Sequence, residues 1–133
     1  VKTEFSIPTD LYKVQLDTFM TCDDGIFVEQ KLEFDLNSDY KLIGIPDCFV
    51  IHDGIIDIYD WKTSEEPIKF KSMFDVGKKS TKKLKYPLSN YDSCDGVIYM
   101  FQVSIYMWML LQLRPDLKPG NLYIVWIKEN KVK

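Results

Sequence analysis

Two aspartates and a lysine are spaced to share one charge-dense spot. Gly44-Ile45-Pro46-Asp47 precedes an apolar run, His52-Asp53-Gly54 follows it, and a second apolar run leads to Asp60-Trp61-Lys62-Thr63. Asp-Gly between two apolar runs is a strong signal for a two-residue hairpin loop. Counted outward from Asp53-Gly54, His52 faces Ile55 and Asp47 faces Asp60, which sets their Cβ atoms about 4.5–5.5 Å apart. Lys62, two residues past Asp60, points the same way. Ile43, Ile45, Phe49 and Ile51 are expected on that face opposite Ile56 and Ile58, so the charged groups border a core. Such a cluster is costly unless it binds something, and a hard divalent cation held by oxygen ligands suits it. The competing reading is a strand-end ion pair between Asp60 and Lys62. A slip of one residue would send the aspartates to opposite faces, and Pro46, lacking an N–H, implies a bulge or an edge there.

The flanking elements must hold this hairpin. Pro8-Thr9-Asp10 resembles a helix start, and Leu11, Gln15, Phe19 and Met20 follow at helical spacing, which predicts a helix over 10–21. Val1 to Ile7 is short and strand-like. Ile26, Val28, Leu32, Phe34 and Leu36 keep one alternating phase, so 26–36 reads as a strand with Glu29, Lys31, Glu33 and Asp35 on its other face. With strands at about 40–51 and 55–62 it forms an antiparallel meander. Residues 63–94 read as an irregular connection, of the length usual for functional lids or loops. A helix is expected from about 95 to Leu113, where Arg114-Pro115 stops it. Pro119-Gly120 is expected to turn into a strand at 121–128, whose continuous apolar run suits burial on both faces.

Composition bounds the rest. The 133 residues are 46% hydrophobic and 14% aromatic, enough for one core-bearing domain and too apolar for disorder. No linker or repeat divides the chain, so 1–133 reads as a single domain. Its opening at Val1 without a Met is compatible with a fragment lacking an upstream helical segment. Net charge is −3, yet the stretch from Lys69 to Lys85 holds seven lysines against Asp75 alone. That local excess either tracks a phosphate backbone or is a solvated loop. Cys22, Cys48 and Cys94 lack any C-x-x-C spacing, which fits a reducing compartment rather than a disulfide, zinc or iron–sulfur framework. The apolar stretch from Val97 to Leu113 carries Gln102, Ser104 and Gln112, so a buried central helix is expected and no membrane partner.

The order helix, three strands, helix, strand predicts an α/β layer with one mixed sheet. With Gly44-Ile45-Pro46-Asp47, Asp60-Trp61-Lys62-Thr63 and Gln102-Val103-Ser104-Ile105-Tyr106, the chain resembles the PD-(D/E)xK nuclease superfamily. The likeness is closest to the RecB-like branch, which includes phage exonucleases and CRISPR-associated nucleases. Its pattern is G-x-x-D, then D-x-K-T, then Q-x-x-x-Y on the following helix, and the likeness spans about Glu29 to Trp126. The resemblance implies a restriction-endonuclease-like core (αβββαβ), with a mixed central β-sheet flanked by helices.

It also implies roles. Asp47 and Asp60 would ligate Mg²⁺ or Mn²⁺ with the backbone carbonyl of Trp61. Lys62 would orient or deprotonate the attacking water, and Gln102 and Tyr106 would position the site or touch the nucleic-acid backbone. Members of the branch often carry a further His or acid upstream. The sole histidine here, His52, falls in the hairpin turn, so that ligand is missing, lost with an absent segment, or replaced by Asp17 or Glu29, of which Glu29 is the choice. Apart from the resemblance, the lysine-rich segment itself makes Lys78, Lys79, Lys82, Lys83 and Lys85 the candidates to follow a phosphate backbone, with a solvated loop as the alternative and Tyr86 and Tyr91 near enough in sequence to stack on bases. The implied function is a metal-dependent nuclease acting on single- or double-stranded DNA, an exonuclease of phage or bacterial recombination and repair. It would work in the cytoplasm of a bacterial host or phage-infected cell, alone or within an oligomer or larger complex. The alternatives are a catalytically inactive nuclease-fold module that binds DNA or protein, and an RNA endonuclease of the same superfamily.

Overall fold

The structure is a computed structural model that describes residues 18–70 and 82–130. The strand-like 1–7, most of the expected helix 10–21, Asp17, Lys78 and Lys79 lie outside those residues; 18–21 is helical. Six strands and one long helix follow: β1 (Gly25–Val28), β2 (Leu32–Asp35), β3 (Lys41–Gly44), β4 (Cys48–His52), β5 (Ile55–Ser64), α1 (Asp95–Leu113) and β6 (Lys118–Lys128). The fold is mixed α/β. A four-stranded sheet runs β1-β4-β5-β6, and β2-β3 form a separate two-stranded sheet.

The hairpin at residues 53–54 forms because both turn residues accept positive φ, +50° at Asp53 and +76° at Gly54. Its register is the expected one, with His52 opposite Ile55 and Cys48 opposite Tyr59. β6 then pairs parallel to β5, which the α1 crossover makes possible, so the sheet is mixed.

The expected strand over 26–36 is broken. Val28 pairs with Cys48 and Leu32 with Gly44, so three residues on each arm, 29–31 and 45–47, drop out of one long hairpin without changing its register. Pro46 cannot donate to a ladder, and Glu29 takes φ +50°, which turns the chain. The break also reverses the inward phase. Phe27 is buried while Ile26 and Val28 are exposed, but beyond the break Leu32 is buried. Ile43 and Ile45 are likewise exposed rather than on the face of Phe49 and Ile51.

The inner face of the four-stranded sheet makes the core. Phe27 and Phe49 stack at 4.9 Å, and Phe19 meets both edge-on. Ile51, Ile56 and Ile58 continue this layer beneath Val103, Met107 and Leu110 of α1. The bent β2-β3 arm packs on the same helix, with Phe34 edge-on to Trp108 at 5.1 Å. α1 spans the expected residues and is long and apolar enough to cross a membrane by length and composition. Among the described residues it is covered on one side only, and Ile98, Met100, Ile105 and Trp108 are exposed. β6 also departs from expectation. It starts at Lys118 instead of turning at Pro119-Gly120, and among the described strands it lies at one edge of the sheet, with Leu122, Tyr123, Trp126 and Ile127 exposed instead of buried on both faces. An edge position tolerates Pro119 near the strand start.

Candidate functional site

The hairpin register brings Asp47 to Asp60. Asp60 sits on the inner face of β5 with 3% of its surface exposed. Asp47 lies just before β4, in the break, and its Oδ2 accepts the Trp61 N–H at 2.9 Å. The two carboxyl groups are close enough to hydrogen-bond when one is protonated. Burial pushes the Asp60 carboxyl above the ordinary carboxylate range; Lys62 pulls it down, and Asp47 adds to the rise.

Lys62 is held from three sides. Its Nζ lies 3.0 Å from Asp60 Oδ2, donates to Gln102 Oε1 at 3.1 Å, and stands 4.3 Å from the centre of the Tyr99 ring. Gln102 Nε2 in turn donates to the Tyr106 hydroxyl at 3.0 Å, as i, i+4 neighbours on one helix can. Tyr106 rests on Gly44, where a Cβ would come within 2.7 Å of the ring. The first and third elements of the sequence pattern are thus in direct packing contact, and the chain Gly44, Tyr106, Gln102, Lys62, Asp60 is continuous.

Asp47, Asp60, Lys62, Gln102 and Tyr106 are therefore brought together. Buried Asp60 Oδ2 has the Lys62 ammonium as its ion-pair partner at 3.0 Å, with the Asp47 carboxyl group close by. Two adjoining carboxyl groups, one of them buried, are an oxygen donor set that fits a divalent cation. No third acid completes the site: among the described residues no group of three His, Cys, Asp or Glu could hold a metal. Glu29 donates its backbone N–H to the Asp47 carbonyl at 3.0 Å, but its side chain is exposed and outside any such group.

The basic segment is only partly in view. Lys82, Lys83 and Lys85 are exposed, and the Lys83 ammonium is engaged by Asp92. Tyr86 is 90% exposed, and Tyr91 packs edge-on against Phe101 at 4.9 Å. Two contributors carry little signal of their own in the sequence. Tyr99 sits three residues before Gln102, a spacing that puts both on one helix face. The Trp61 N–H is the other, and strand alternation alone does not show that it would hold Asp47.

A second polar cluster lies on the other face of the sheet. Asp57 Oδ1 accepts the Asn121 N–H at 2.7 Å, and its Oδ2 is 2.9 Å from His52 Nε2. Both contacts hold the Asp57 carboxyl below the ordinary range, the Asn121 amide more strongly. Asn121 is where β6 carries an extra residue relative to β5, between the pairs Ile56–Pro119 and Ile58–Leu122. The cluster therefore braces the parallel strand, and His52 belongs to it rather than to the Asp47–Asp60 pair.

Comparison with known proteins brings no relative to bear: no family model matches the chain, and no curated protein or solved structure does either.

Proposed function

We propose that this protein is a metal-dependent nuclease with a restriction-endonuclease-like core, hydrolysing phosphodiester bonds in DNA in the manner of a bacterial or phage exonuclease. The observation that carries the reading is the facing pair Asp47 and Asp60 with Lys62 fixed between Asp60 and Gln102. Asp47 and Asp60 would hold Mg²⁺ or Mn²⁺, joined by the Trp61 carbonyl. Such an ion, when bound, polarises a phosphoryl oxygen and acidifies its water. The chain's own groups do the rest. The Trp61 amide fixes the orientation of Asp47. Gln102 and the Tyr99 ring hold the Lys62 ammonium where it orients the attacking water and offsets charge growing on the phosphoryl oxygens. Tyr106 keeps Gln102 from rotating away. Lys82 and Lys85, with Lys78 and Lys79, supply phosphate contacts, and the cytoplasm of a bacterial or infected cell is the proposed setting.

The test is digestion of linear and covalently closed DNA, single- and double-stranded, and of RNA, with Mg²⁺, Mn²⁺ or EDTA. DNA is cut only with the ion, and Asp60→Ala or Lys62→Ala abolishes cutting in a domain that still folds. A folded Asp60→Ala protein that cuts as well as the wild type overturns the assignment. The pairing of only two acids among the described residues favours one second reading, a nuclease fold that binds DNA without cutting it. That reading gains if DNA binding is retained while no ion yields cleavage.

A further inference from the structure

A cleft of about 230 Å³ opens directly beside Lys62. It runs from the end of β5 to the first turns of α1, and three features of its lining define what it can take. Pro67, Ile68 and Tyr99 give it an apolar and aromatic side. Lys62 and Lys69 supply two ammonium groups, and Glu66 and Asp95 supply two carboxylates. Its walls are braced: Trp126 Nε1 donates to Ser64 Oγ at 3.0 Å, and the Gly96 N–H donates to the Lys69 carbonyl at 2.8 Å. A Cβ on Gly96 would come within 2.5 Å of that carbonyl, so the helix start and residues 69–70 are in close contact.

We propose that this cleft is a subsite for one nucleoside unit of the substrate, immediately next to the phosphate that Lys62 faces. A simple anion site would not carry Glu66 and Asp95, and a cation site would not carry two lysines. A nucleobase matches the mixture, because it offers donors and acceptors on its edge and an apolar face to Tyr99, Pro67 and Ile68. Flanking phosphates account for Lys62 and Lys69. The volume lies below the roughly 300–1,000 Å³ of sites that hold drug-sized ligands, which suits one nucleoside and not a run of them. Tyr99 is then shared, touching the Lys62 ammonium and lining the base subsite, so occupancy of the cleft and placement of the lysine are linked. This inference rests on the nuclease reading for the identity of the substrate.

The experiment titrates the protein with thymidine 5′-monophosphate, and separately with inorganic phosphate, following amide chemical shifts in Mg²⁺ and again in EDTA. The nucleotide is expected to shift Ile68 and Tyr99 and to bind at least about tenfold more tightly than phosphate, the difference that base stacking supplies. Tyr99→Ala weakens nucleotide binding about tenfold. Lys69→Glu, an exposed substitution that leaves packing intact, weakens it as well. Nucleotide binding that is absent, no tighter than phosphate, or indifferent to both substitutions overturns the subsite. A wild-type protein that cuts DNA yet fails this titration loses the subsite alone. One that binds the nucleotide at Tyr99 but cuts nothing loses the hydrolytic reading alone.

Discussion

Lys62 Nζ donates to Gln102 Oε1 across forty residues of sequence, and Gln102 Nε2 donates onward to the Tyr106 hydroxyl. A glutamine can serve both neighbours because its amide ends in one acceptor and one donor group. The Lys62 ammonium is thereby aimed from α1, not from its own strand. Gln102→Ala is expected to lower kcat about 10- to 100-fold with KM little changed, the loss typical of a hydrogen bond to a charged group. Steady-state kinetics on a DNA substrate check it; a raised KM with unchanged kcat would assign Gln102 to binding instead.

Gly44 makes that aiming possible by letting Tyr106 approach the β3 backbone. Gly44→Ala places a methyl 2.7 Å from the ring, so the ring must move and the Gln102 contact with it. Expected are a destabilisation of about 1–3 kcal/mol from overpacking and a fall in kcat. Denaturant unfolding and a Gly44→Ala, Gln102→Ala double mutant measure this. Strict additivity of the two losses in activity would contradict the linkage.

The buried Asp60 should make the metal-free protein sensitive to rising pH. Its carboxyl titrates above the ordinary range because burial penalises the anion. A group of that kind favours the fold most below its unfolded pKa, about 3.9, and that contribution is lost as pH climbs through the higher folded value. In EDTA, Asp60→Asn is therefore expected to gain stability over wild type as pH rises from about 4 to 7. Adding Mg²⁺ raises the wild-type Tm with ion concentration and leaves the variant unmoved. Thermal melts at several pH values decide it, and a variant less stable at neutral pH in EDTA refutes it.

Asp57 works in the opposite sense. The Asn121 amide and His52 hold its carboxyl low, so its contribution is complete above about pH 4 and disappears as pH falls through the folded-state value. Asp57→Ala removes the acceptor of the Asn121 N–H, which water can partly replace, and should cost about 0.5–1.5 kcal/mol at neutral pH. The difference from wild type should shrink in acid. Urea unfolding at pH 7 and pH 3 tests both statements.

Much of this arrangement is legible in the sequence. Asp53-Gly54 permits one kind of turn, and that turn alone sets Asp47 against Asp60. The helix over Asp95–Leu113 is equally plain, bounded by Pro115 and by a long apolar run. The break after Val28 is hidden because Ile26, Phe27 and Val28 are all apolar: the alternation that continues to Leu32 and Phe34 puts Ile26 and Val28 inward, where the fold instead buries Phe27. β6 misled for a related reason. Leu122 through Ile127 could be buried on both faces, yet pairing geometry leaves the strand at an edge. Burial of a strand depends on neighbours that its own residues do not specify. Tyr99 is one aromatic residue among many apolar ones in α1, and only the placement of Lys62 gives it a partner.

The matched gap in the long hairpin sets a rule for how this chain tolerates changes of length. Residues 29–31 and 45–47 are equal in number, so the two arms re-enter pairing in step. Deleting one residue from a single arm would shift the outer ribbon by one pleat and turn Gly44 away from Tyr106. Deleting one from each arm would restore the alignment. Viable natural variants of this hairpin should therefore lengthen or shorten in compensating pairs.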